Sequence, residues 1–240
     1  MGVVVLPSDD AQRVAAWISD RLPKPGYGTV ARLIPPDFAA YVRILHRFEP
    51  DEDFAEGTFR WAEMAARAGV PYVPQITSRR IGGFPLPGNP ERWLWAPDEG
   101  DMDRVSRVAL TELLSARTAS DAFFAFGLAA DLCGLPTPLV FRGRVDDLEE
   151  VRSSAGQLSD RKNVGDPHGP MTGPEWWWPE DRSWLVVTDY DLDSTIVGAG
   201  SEVADAILAD PILEALAVTL DTRLDSSADA TPSIDHEAAG

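Results

Sequence analysis

Three consecutive tryptophans, Trp176-Trp177-Trp178, constrain this chain more than any other stretch. Successive side chains diverge in any regular backbone, so the three cannot all enter one core. Their bulk must be shared between the interior and an exposed face or a covering loop. A fourth tryptophan, Trp184, follows shortly after. On one reading the cluster packs the stretch Val70–Pro97, with its six prolines and Trp93 and Trp95, onto a sheet. On the other it presents an interface, because tryptophan is enriched at protein–protein hot spots and stacks on sugars and bases. Trp176, Trp177, Trp178 and Trp184 are then candidate binding residues, together with Arg182. The flanking Glu180 and Asp181 give Arg182 a simpler role in local charge balance.

Charge narrows the partner. The 240 residues carry 39 acids against 21 bases, a formal net charge of −18, and Met171–Gly240 alone holds 15 acids and 2 bases. Affinity for nucleic acid comes mainly from cationic side chains neutralising phosphates, and anionic membranes select the same chemistry. Both are disfavoured, and a basic protein partner is favoured. The single cysteine, Cys133, excludes an internal disulfide and a cysteine-based zinc cluster. With neither a basic leader segment nor an apolar run of about 18 residues, the expectation is a cytoplasmic protein.

Periodicity predicts a mixture of elements. Asp9 and Gln12 form a capping-box pattern ahead of Val14, Trp17, Ile18 and Leu22, giving a helix over Asp10–Arg21. Further helices are expected at Phe59–Ala68, stopped by Gly69, at Asp101–Ala116 with Val105, Val108 and Leu113 inward, at Asp146–Ser154, at Ser201–Ala209 and after Asp210-Pro211. Strands are expected at Tyr41–Phe48, Phe123–Leu128, Leu139–Arg144, Trp184–Tyr190 and Ala217–Leu220. Gln157–Gly173 reads as a mobile loop and 225–240 as a disordered acidic tail. The order is not a regular βαβ array, so the fold class is α+β, a mixed or antiparallel sheet flanked by short helices. One domain over 1–224 is expected, with a subdomain break near 70–100.

Two motifs invite catalytic readings. The run Val187-Thr188-Asp189-Tyr190-Asp191-Leu192-Asp193-Ser194-Thr195 ends an apolar strand in Asp-x-Asp-x-Thr. It resembles motif one of the haloacid-dehalogenase-type phosphotransferases, which implies Asp191 as nucleophile, Asp193 as acid/base, Thr195 as a phosphate contact and bound magnesium. The rest of that pattern is missing, for no lysine follows Thr195. Asp189, Asp191 and Asp193 also have the opening spacing of a calcium loop, although Ser194 and Gly200 stand where glycine and glutamate belong. On a continuing strand the three carboxylates would share a face and would want a cation or an arginine. The simpler reading is a solvated strand end.

The second motif, Gly198-Ala199-Gly200-Ser201 with Asp221 further on, imitates a dinucleotide fingerprint, but Val203 fills the third glycine position. With Thr195, this would make Gly198, Gly200 and Ser201 phosphate or nucleotide contacts. A tight turn feeding a helix explains the same residues. The histidines His46, His168 and His236 show no sign of converging, and His46 reads as a satisfied core-edge residue.

The arrangement Trp177-Trp178-Pro179-x-Asp181-Arg182-x-Trp184, then Thr188, Asp191, Asp193-Ser194-Thr195 and Val197-Gly198, resembles a family of uncharacterised actinobacterial proteins. The likeness is strongest over residues 174–216. It implies one distinctive α+β unit and no named activity. Leu33–Tyr41 is similar, over that short span only, to the opening of a family of immunity proteins. The reading reached is a non-catalytic binding or accessory protein with an acidic, Trp-rich C-terminal surface and no cofactor, of the kind formed by immunity proteins, antitoxins and regulators. The alternative is an enzyme or nucleotide binder with magnesium, calcium or phosphate at Asp189–Ser201.

Overall fold

The computed structural model describes residues 2–22, 28–48, 59–82, 84–86, 89–94, 96–127, 130–131, 134–162, 173–225 and 228. In chain order its elements are β1 (Val4–Val5), α1 (Ser8–Ser19), β2 (Ala40–Leu45), α2 (Trp61–Ala68), α3 (Ser78–Ile81), β3 (Phe84–Leu86), β4 (Asn89–Leu94), α4 (Arg104–Ser115), β5 (Ala122–Phe126), β6 (Leu139–Gly143), α5 (Leu148–Lys162), β7 (Trp176–Pro179), β8 (Trp184–Thr188), β9 (Ser194–Ala199), α6 (Ser201–Ala209) and β10 (Ala215–Val218). Eight strands form one open sheet in the order β1-β6-β5-β7-β8-β9-β2-β10, every neighbouring pair antiparallel, while β3 and β4 pair separately. The architecture is α+β.

The tryptophan run is itself a strand, β7, near the middle of the sheet, and strand alternation solves its packing problem. Trp177 enters one face with Phe124, Trp184 and Val186, beneath Leu110 and Leu114 of α4, Leu148 and Val151 at α5 and Ile207 of α6. Trp178 enters the other with Ala125, Leu185 and Val187, beneath Ala11 and Ile18 of α1 and the short 3₁₀ segment Val30–Arg32. The chain therefore accommodates its diverging indoles with a sheet covered on both faces. That cover also explains why β8, Trp184–Thr188, is buried at every position rather than at alternate ones.

Ring geometry fixes the layers. Trp177 stands edge-on to Trp184 at 5.4 Å and stacks with Phe124 at 6.1 Å. On the far face Trp17 of α1 meets Trp178 edge-on at 6.1 Å, and the Arg182 guanidinium lies 5.0 Å from the centre of the Trp17 ring. Arg182, at φ 56°, thus covers α1 through a cation–π contact, with Glu180 and Asp181 beside it in the chain. A third apolar cluster, Leu45, Phe48, Trp61, Met64, Ala65, Ile76, Ile81 and Leu94, gathers the 59–94 segment beyond the end of β2.

Several boundaries move. The Asp9–Gln12 capping box does not form, because α1 begins earlier with Pro7 at its N-cap and no side-chain cap. Gly69 does end α2, at φ 67°. The 70–97 stretch holds α3 and the β3–β4 hairpin. Val105 and Val108 face solvent at 40% and 41% exposure, because α4 turns Ser106, Ala109, Leu110 and Leu114 inward. α5 runs on to Lys162 through the first part of the expected loop, and 163–172 lie outside the described residues. No helix restarts at Asp210, whose Oδ1 accepts from the backbone of Ile212 (2.8 Å) and Leu213 (3.1 Å) in a turn. Of the expected tail only Asp225 and Ala228 are described.

Candidate functional site

One end of the sheet collects the polar residues that the sequence marks. There β8 turns into β9 through Asp189–Asp193, β2 runs out at Leu45, and the 98–103 loop is held against the turn by Gly100 N–H donating to the Leu192 carbonyl at 3.0 Å. The three aspartates do not share a face. Asp189 Oδ1 accepts from the Asp191 backbone N–H at 3.0 Å, which bends the chain, and Asp191 faces solvent. Asp193 turns inward to Arg43, whose Nη2 approaches its Oδ1 at 3.3 Å.

Arg43 is fully buried on β2 and is the hub of this end. Its Nε donates to Ser194 Oγ at 2.8 Å, and its Nη1 donates to the carbonyls of Pro74 (2.9 Å) and Ile76 (2.8 Å). A buried cation costs several kcal/mol unless it is paired and hydrogen-bonded, and Arg43 meets both conditions. An arginine does meet the acidic run, but at Asp193 alone among the three, and the shared face that would have called for a cation or an arginine does not form. Among the described residues no group of three or more His, Cys, Asp or Glu is placed to hold a metal ion. The magnesium and calcium readings of Asp189, Asp191 and Asp193 lose their geometric basis.

Beside this hub runs a line of buried side chains. His46, 1% exposed, meets the Asp98 carbonyl through Nδ1 at 3.2 Å and Thr195 Oγ1 through Nε2 at 2.9 Å, and Thr195 Oγ1 meets Thr188 Oγ1 at 2.8 Å. A carbonyl only accepts, so Nδ1 carries the proton and Nε2 accepts from Thr195. Burial lowers the imidazole's proton affinity, against the Asp98 carbonyl and the charges of Asp193, Asp103 and Asp101, so the ring is held neutral. Thr195 is therefore occupied on both sides and is not poised for a phosphate.

The glycines of the nucleotide reading fall in different surroundings. Gly198 lies inside β9, opposite Tyr41 and Leu185, and an added Cβ would come within 2.4 Å of the Phe38 ring and 2.8 Å of Ile34. Its glycine serves that close approach. Gly200 is the N-cap of α6 and Ser201 its first, exposed residue. β9, α6 and β10 form a split parallel crossover, with β2 antiparallel between the two strands, so the glycine nearest the helix end is Gly200 rather than Gly198.

Two openings flank this end. A polar cavity of about 190 Å³ is lined by His46, Arg47, Asp98, Asp101, Met102, Asp103, Arg104, Arg107 and Arg152. Its charges are largely matched. Arg152 grips Asp101 with two bonds of 2.6 and 2.8 Å, Arg107 reaches Glu149 at 2.7 Å, and Asp103 caps α4 through Ser106 N–H at 2.9 Å. The second opening is an apolar cleft of about 430 Å³ between α1 and the adjoining ends of β5 and β7, lined by Ala15, Ile18, Leu22, Ala125, Pro138 and Trp176 among others.

Of the candidate binding residues, Trp177, Trp178 and Trp184 are buried at 3%, 1% and 1% exposure and belong to the core. Trp176 is half-buried on the apolar cleft, and Arg182 covers Trp17. Sequence reading missed Arg43, the Asp101–Arg152 pair and Glu214. The last is 1% exposed and caps α2 from a remote position, accepting from the backbone of Trp61 and Ala62 at 2.7 Å each. A signal existed for Asp103, an aspartate directly ahead of a helical period. None existed for Glu214, which looks like one more acid in an acidic stretch.

The fold and this end define an α+β protein with an open antiparallel sheet and a structural, internally satisfied polar centre. Beyond that class, no protein-family model, curated protein or solved structure matches the chain. Among the described residues, no helix is long and apolar enough to cross a membrane.

Proposed function

We propose that the protein is a non-catalytic binding or accessory protein that docks a basic protein partner on the acidic end of its sheet. One observation carries this. Glu99, Asp189 and Asp191 gather around the β8–β9 turn and make no ion pair among the described residues, while Tyr190 stands 46% exposed between two of them. Partial burial, and the charges of Asp193 and Asp191, raise the Glu99 carboxyl above its usual range; partial burial, then Asp191, does the same to Asp189 against the Asp191 backbone bond. Like charges in that state gain from an external cation. An exposed tyrosine ringed by them suits a hot spot.

The apolar cleft extends this surface. Glu175 precedes β7 and accepts from Thr188 N–H at 2.9 Å, so Trp176 and its cleft border the same end. A lysine or arginine could lay its aliphatic stem along Trp176 and keep its charged head among the carboxylates. The groups able to do chemistry nearby, His46, Thr195 and Asp193, are committed to holding the fold. That commitment supports binding over catalysis.

The test is affinity capture with the whole chain, repeated with Tyr190→Ser and with Glu99→Gln/Asp191→Asn. The expected partner is a basic protein, released by salt and lost from both variants. A partner list indifferent to salt and to both variants would sink the reading. Trp177→Ala is unsuitable for this purpose, because it removes a core side chain rather than a contact.

A further inference from the structure

Four of the large apolar side chains left exposed lie on one helical layer: Val105 and Val108 on α4, Leu208 on α6, and Ile212 just after it. α4 and α6 pack side by side. Arg47 ties the layer together, with its backbone N–H donating to Asp103, the N-cap of α4, at 2.9 Å and its guanidinium donating to the Ile212 carbonyl. This face is remote in chemistry from the acidic turn, because it is aliphatic and its helix carries charges of both signs.

Those charges have a pattern. Arg104 lies four residues before Val108 and Glu112 four residues after it, so all three share the exposed stripe of α4. Neither Arg104 nor Glu112 makes an ion pair among the described residues. They cannot pair with each other, since eight residues of helix separate them by about 12 Å along the axis. A stripe reading plus–apolar–minus is complementary to itself when reversed.

We propose that this ledge is a self-association surface on which a second copy of the chain lays its own α4 antiparallel, about a two-fold axis at Val108. Arg104 of each protomer then faces the partner's Glu112, Val108 packs on the partner's Val108, and the remaining aliphatic side chains extend the covered area. An isologous contact of this kind closes at two copies. The net charge of −18 opposes association elsewhere on the surface, and the matched charges select the register in which it is tolerated.

Sedimentation velocity on the whole chain over a wide concentration range tests this. A monomer–dimer equilibrium is expected. Val108→Glu, Arg104→Glu and Glu112→Arg should each weaken it by roughly tenfold or more in Kd, because the two-fold counts every change twice. The combined Arg104→Glu/Glu112→Arg chain should dimerise about as well as the parent. All three side chains are exposed, so thermal midpoints should stay level and confirm that the variants fold. A chain that stays monomeric at every concentration would overturn the proposal. So would a dimer indifferent to Val108→Glu, or a charge swap that fails to restore association.

Discussion

Asp191 and Asp193 stand two residues apart in one acidic run, and the fold gives them opposite lives. Asp191 faces solvent on the β8–β9 turn among other carboxylates. Asp193 is buried against Arg43, whose remaining bonds hold Ser194, Pro74 and Ile76. An aspartate in this protein is therefore a structural pin or a surface charge according to what its side chain meets, and residue type says nothing about which. The same contrast separates Trp177, enclosed by Phe124 and Trp184, from Trp176 on its open cleft.

The largest expected effects fall on the buried member of each pair. Asp193→Ala strands the Arg43 charge and should cost about 3–5 kcal/mol of unfolding free energy in a urea titration, and Trp177→Ala should cost a similar ~3–5 kcal/mol through cavity formation. If Asp193→Ala lost no more than Asp191→Ala, the distinction between pin and surface charge would fail. Next comes Glu214→Ala, which uncovers the first amides of α2 and should cost about 1–3 kcal/mol, seen as a lower denaturant midpoint.

Acid should act on the two regions with opposite signs. His46 has a folded value below its ordinary 6.5, so below that pH the unfolded chain binds the extra proton and stability falls as pH drops toward the folded value. Asp189 and Glu99 have folded values above their ordinary 3.8 and 4.5, so the folded chain takes up protons first and their repulsion is relieved as pH falls through the folded values. Unfolding midpoints measured across this range should show a decline that starts below about pH 6.5. His46→Asn should flatten that first decline, and persistence of the full slope would remove His46 as its source. The smallest effect belongs to Asp191→Asn, within about 0.5 kcal/mol of the parent in stability.

Legibility in the sequence followed the range of the interaction that decides each feature. The β8 strand, the helix at Ser201–Ala209 and the Gly69 stop rest on neighbouring residues and were readable. The acidic run left a cation, an arginine or plain solvent open as its partner, since Arg43 lies in a strand 150 residues upstream. The tryptophan run showed that its bulk must be divided, yet a strand covered on both faces, which buries Trp177 and Trp178 together, depends on helices far away in the chain. Val105 and Val108 show the converse, for helical period alone does not say which apolar side chains find a neighbour.

The position of β2 has a consequence for how the chain is made. This strand is flanked by β9 and β10, which lie far downstream of it in the chain, and α2 waits for Glu214 to cap it. During synthesis β2 and α2 are made before those sheet neighbours and that helix cap. β2 gains its second sheet neighbour only after residue 218 has been made, whereas β5, β7, β8 and β9 can pair before it. A chain stopped before β10 would expose one side of β2 and leave it open to pairing with other chains.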